Sequence, residues 1–121
     1  MDIVIIGAAV VLFAGMGVYG LVAPASLVAI FGTVVTSIEG RNEVRAVYGG
    51  FGLAMALALT LAALDIGQMR DGVLIAVALA LAGMGCGRII SMLVERPPRF
   101  YPTGFFLIVE VALAAALLAV R

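Results

Sequence analysis

With 65% of its 121 residues apolar and only 12% charged, the chain carries far more apolar side chain than the roughly 45–50% of a soluble domain, and it reads as an integral membrane protein. Seven arginines, no lysine and seven acids give a formal charge of zero, which excludes a basic nucleic-acid face and a polybasic lipid anchor. Histidine is absent and cysteine occurs once, so zinc, His-held haem and di-iron sites, and Ser-His or Cys-His catalysis, lack their residues; no cofactor and no enzymatic activity are expected.

At about 20 residues per crossing, the chain has room for one domain, residues 1–121, of at most about four or five helices. Met1-Asp2 places an acid where a secretory leader would carry Lys or Arg, and the apolar run from Ile3 outlasts a leader core, so a retained helix 1 is predicted from Ile3 to Ala23 and ends before Pro24. The link Pro24 to Arg41 is long and mostly apolar. Pro24 stands where a helix can start, which predicts a short helix lying at the membrane interface; the alternative is a buried loop with one or two turns. Helix 2 is predicted from Asn42 to Leu64 and helix 3 from Asp71 to Val94, with Asn42 and Asp71 as N-caps. Pro97-Pro98 and Pro102 make the third loop extended, and helix 4 runs from Pro102 to Val120. Period-two alternation is lacking, which argues against a β-barrel. The fold expected is all-α: an integral membrane four-helix bundle with a short interfacial helix between helices 1 and 2.

The odd-numbered loops carry Arg41, Arg45, Arg96 and Arg99 against Arg70 and Arg121 on the other side. The positive-inside bias therefore puts the odd loops in the cytoplasm and both termini outside. Small residues recur at helix-packing spacing, Gly49, Gly52 and Ala56 on helix 2 and Ala76, Ala80, Gly83 and Gly87 on helix 3; tight packing inside the bundle is expected, with dimerisation through one face as the alternative. Cys86, between two glycines, reads as a small core residue. Phe100, Tyr101, Phe105 and Phe106 read as interfacial aromatics with core members.

Glu43 and Arg45 at the start of helix 2, Arg88 in helix 3 and Glu110 in helix 4 do not look like loop charges. A charge at mid-membrane costs about 2.5–3.5 kcal/mol on insertion scales, so each calls for a partner. Arg88 lies six residues before Val94 and Glu110 seven after Thr103, which puts both about 9–10 Å from the odd-loop side at 1.5 Å per residue and level on neighbouring antiparallel helices. Arg45 and Tyr48 lie near the same side, and so does Tyr19, five residues before Pro24. In an α-helical register Arg45, Tyr48, Gly49, Gly52 and Ala56 share one face. The candidate cluster is Glu43, Arg45, Tyr48, Arg88 and Glu110, with Tyr19 and Ser91 beside it. It is either an internal network that fixes helix register or a ligand site, whose guanidinium and phenol groups suit a carboxylate, a phosphate or a quinone oxygen.

The block Glu43-Val44-Arg45-Ala46-Val47-Tyr48-Gly49-Gly50 resembles the bacterial membrane family of domain of unknown function 4345, as do Gly87-Arg88 followed by Ser91 in helix 3 and Glu110 in helix 4. The likeness covers about Gly15 to Leu117. More distantly, the four-helix plan is similar to DoxX-like membrane proteins. The resemblance implies that the polar cluster belongs to the family's plan and places the chain in a bacterial inner membrane, with periplasmic termini on the Arg count; it implies no reaction. One departure is Glu95-Arg96-Pro97-Pro98, where an acidic turn is expected after Arg88. The function expected is binding of a small amphiphile, a membrane lipid or a quinone-like molecule, at this cluster. The rivals are an accessory subunit of a larger membrane complex or homo-oligomer, docked through its Gly/Ala faces, and a proton-coupled carrier using Glu110.

Overall fold

The computed structural model covers residues 1–121 and has helices as its only regular elements, with no strand. Four stretches are long and apolar enough to cross a membrane: Asp2–Val22, Ile38–Ala63, Arg70–Val94 and Thr103–Val120. At most 28% of any of these apolar windows is buried by the rest of the chain, the condition of helices whose outer faces are solvated by lipid and whose backbone groups are paired internally.

Helix α1 (Asp2–Val22) begins with the Asp2 carboxylate accepting the Ile3 N–H at 2.8 Å and ends where Pro24 forces the residue before it out of helical geometry. Pro24 then opens a short helix, α2 (Pro24–Ala29), from its first position. Its chain turns away at Gly32, whose φ of 78° is one that side chains other than glycine adopt only under strain. A short helix therefore does lie between the first two crossings.

The second crossing starts four residues before the predicted Asn42. The Ser37 hydroxyl accepts the Gly40 N–H at 2.9 Å and caps α3 (Ile38–Val44), with Glu39 in the first turn; Asn42 lies inside the helix. The crossing continues through a π-helical turn, Arg45–Gly50, into α4 (Phe51–Ala63). The third crossing, α5 (Arg70–Val94), starts after Met69, so Asp71 is not the cap but a first-turn acid, well placed against the helix dipole. The fourth is α6 (Thr103–Val120).

Helix α1 packs on α4 and the π turn, α4 on α5, α5 on α6, and α6 closes loosely on α1. The α1–α4 contact is backbone against backbone. A Cβ on Gly17 would lie 2.8 Å from the Leu53 nitrogen, and one on Gly52 would lie 2.8 Å from the Phe13 carbonyl oxygen, so small residues set the distance between these helices. The stripe on α5 behaves differently. Ala76, Ala80, Gly83 and Gly87 are exposed, and a Cβ on Gly83 or Gly87 would meet nothing within 4 Å. The face that α5 turns inward is Leu74, Val77, Ala78, Leu81 and Gly85, because large apolar side chains fill the space between crossings while lipid accepts a smooth surface. Cys86 shares the outward side and is exposed rather than part of the core.

At the end holding the termini, Arg70 Nη2 donates to Asp2 Oδ2 at 2.7 Å and to the Val120 carbonyl at 3.1 Å. One guanidinium thus ties the starts of α1 and α5 to the end of α6, where a cation also complements the helix C-terminus. Arg70→Gln is expected to speed amide hydrogen exchange at both chain ends while leaving exchange at Leu59 and Leu74 unchanged; equal protection at the ends would show that this tie does not hold them.

Candidate functional site

The polar centre of the bundle is built on α5 and α6. Arg88 Nε donates to Glu110 Oε1 at 2.7 Å and Nη2 to Oε2 at 2.9 Å, a bidentate pair at the depth that the sequence count places both residues. Glu110 is 4% exposed, and the Arg88 side chain retains 22% exposure. Above the guanidinium lie two aromatic faces, with its central carbon 5.6 Å from the Phe31 ring centre and 5.7 Å from that of Phe106. The rings are 5.5 Å apart. Both carboxylate oxygens are bonded and the cation faces π-electron density, so the charges are compensated without water.

Phe31 comes from the turn after α2, so the first loop folds back over the pair made by the third and fourth crossings. The aromatic group extends through Phe106 to Phe105, edge-on at 5.2 Å, and to Tyr101 at 6.2 Å. Next to it opens a cleft of about 290 Å³. Ile30, Phe31 and Gly32 line one wall, and Pro97, Pro98, Arg99, Tyr101, Pro102 and Thr103 the other. Phe31 belongs to both the cleft wall and the cation clamp. Its part in the site was not legible in the sequence, because no spacing rule relates a residue of the first link to α5.

The other expected site residues gather elsewhere. Arg45 Nε donates to the Leu21 carbonyl at 3.1 Å, so Arg45 satisfies an orphan carbonyl in the last turn of α1 and sets a cation against that helix's negative end. Arg45 does not share the face of Gly49, Gly52 and Ala56: those three are buried with Val44, and Arg45 is exposed. The physical reason is the π turn, whose i→i+5 bonding admits an extra residue and rotates Arg45 off an α-helical register. Tyr48 is half-buried against α1, where a Cβ on Gly20 would lie 3.2 Å from the Tyr48 Cβ. Tyr19 is 45% exposed. Glu43 and Ser91 are exposed, and neither their side chains nor those of Arg45 and Tyr48 bond to Arg88 or Glu110. Four of the seven residues thus fall into two pairs, Arg45 and Tyr48 pinning the second crossing to α1 and Arg88 and Glu110 pairing α5 with α6, while Glu43, Tyr19 and Ser91 join neither.

A sequence profile of a domain of unknown function, DUF4345, matches residues 3–120. The chain belongs to that family. Neither a curated protein nor a solved structure matches it. In this DUF4345 protein the Glu43–Gly50 block contains the whole π turn, so its Arg-Ala-x-Tyr-Gly-Gly residues have a structural reason to occur together. Arg45 caps α1, Gly49 admits the α1 backbone beside Leu21, and the extra residue of the turn separates the two registers.

Proposed function

We propose that this multi-pass membrane protein binds a small amphiphile, lipid-like or quinone-like, at the loop-side end of α5 and α6, and performs no chemistry on it. The observation that carries this reading is the position of Phe31, which lines the 290 Å³ cleft and lies against the Arg88 guanidinium. A ligand entering the cleft meets apolar rings, the Arg99 side chain and a compensated ion pair behind them, a mostly apolar pocket with few polar groups. The Arg distribution and the family resemblance support residence in a bacterial inner membrane with the odd loops in the cytoplasm.

The test is native mass spectrometry of protein released gently from its own membranes. Wild type is expected to carry an amphiphile that Phe31→Ala and Tyr101→Ala lose while remaining folded. A wild-type spectrum free of bound amphiphile sinks the proposal. A second reading, an accessory subunit of a larger complex or a homo-oligomer, is favoured by the outward Ala76, Ala80, Gly83 and Gly87 stripe. A stable larger assembly in the same spectrum, broken by Gly83→Leu, would select it.

A further inference from the structure

We infer that the amphiphile carries an anionic phosphate headgroup and that Arg96 and Arg99 hold it; this rests on the amphiphile-binding reading. Of the chain's arginines, Arg70 is paired with Asp2, Arg88 with Glu110, and Arg45 is bonded to the Leu21 carbonyl. Arg41, Arg96, Arg99 and Arg121 make neither an ion pair nor a side-chain hydrogen bond, and of these Arg96 and Arg99 together line one cleft, of about 340 Å³, with Met92 and Phe100. Arg99 also lines the cleft beside Phe31, and no acidic side chain lines either. Pro97 and Pro98 stand between the two arginines and restrict the backbone, so less freedom is lost when both guanidinium groups engage one anion.

The location suits a lipid headgroup. The cleft lies just past the end of α5, where the chain leaves the apolar span. From Met92 downwards, Ile89 and Leu93 are exposed one helical turn apart, a strip along which an acyl chain can lie. Phosphate oxygens match the guanidinium fork in bidentate geometry. A quinone carbonyl is neutral and would leave both guanidinium charges without a counter-ion, which favours the phosphate amphiphile.

The experiment titrates the full-length protein, in neutral detergent, with phosphatidylglycerol, phosphatidylcholine, inorganic phosphate and a decyl quinone, and counts bound ligand by native mass spectrometry. Phosphatidylglycerol is expected to bind at concentrations at least about tenfold below phosphatidylcholine, and Arg96→Gln/Arg99→Gln is expected to weaken it by at least about tenfold, the loss of one charge-assisted contact or more. Both arginines are exposed and unpaired, so the variant should keep the wild-type melting temperature. Millimolar inorganic phosphate that displaces the lipid supports the phosphate chemistry and assigns it to the free ion as well; phosphate without effect assigns it to the lipid headgroup. Equal binding of the two lipids, or unchanged binding in the double variant, overturns the inference. If the quinone is retained in that case, the amphiphile-binding reading survives alone; if no ligand is retained, both fall.

Discussion

Glu110→Ala is expected to destabilise the bundle by about 3–5 kcal/mol, because it strands the Arg88 guanidinium between α5 and α6 with no anion to compensate it. The double replacement Arg88→Met/Glu110→Leu should lose much less, since two apolar side chains of similar volume leave neither an unpaired charge nor a cavity. The cycle is diagnostic because both Glu110 oxygens bond the same guanidinium, at 2.7 and 2.9 Å, so the two single losses describe one interaction and cannot add. Reversible unfolding in mixed micelles, followed by far-ultraviolet circular dichroism, gives the four free energies. Additive losses would mean that the carboxylate and guanidinium do not meet. Phe31→Leu is a milder case: it keeps an apolar cover and removes one π face from the cation, worth about 0.5–2 kcal/mol depending on how dry the site is.

The pair was legible in the sequence for a simple reason. Charges in lipid are few, and their depth follows from counting residues to the nearest loop, so Arg88 and Glu110 could be matched without any fold in hand. The same count applied to Arg45 failed on register rather than depth. A π turn leaves no compositional mark, and the block from Arg45 to Gly50 reads as ordinary helix until its bonding is seen. The direction in which α5 faces was illegible for another cause. Water makes the outside of a soluble helix polar, whereas lipid leaves the outward Ala76 and Gly83 as apolar as the inward Leu74 and Leu81, so periodicity carries no sign. Arg70 and Asp2 are 68 residues apart, and each taken alone reads as an ordinary charge at a membrane edge. Ser37 was an available signal, a cap residue ahead of an acidic first turn, and Asn42 was the weaker choice because a helix starting there would leave four more backbone N–H groups of the second crossing to be satisfied elsewhere.

The glycines give the sharpest test of that missing sign, because two of one residue type in equally apolar helices should respond in opposite ways. Gly52→Ala is expected to cost about 1–3 kcal/mol, the range for overpacking. Its new methyl group would sit 2.8 Å from the Phe13 carbonyl oxygen and 2.9 Å from the Gly17 nitrogen, both backbone atoms of α1 that move only if the helix moves. Gly83→Ala should cost nothing and gain up to about 1 kcal/mol, since a Cβ there meets nothing within 4 Å and alanine is the better helix former. The same unfolding titration measures both, and the reverse order would mean that α5, not α4, presents its small stripe to the interior. The Gly52 effect should also reach the π turn. Pushing α1 away at Phe13 and Gly17 carries its last turn with it, and the Leu21 carbonyl is held to Arg45 by a single bond already at 3.1 Å. Faster amide exchange at Ala23 and Leu27 in Gly52→Ala, matched by Arg45→Ala and absent in Gly83→Ala, would show that glycine contact and arginine cap act as one device fixing α1 to the second crossing.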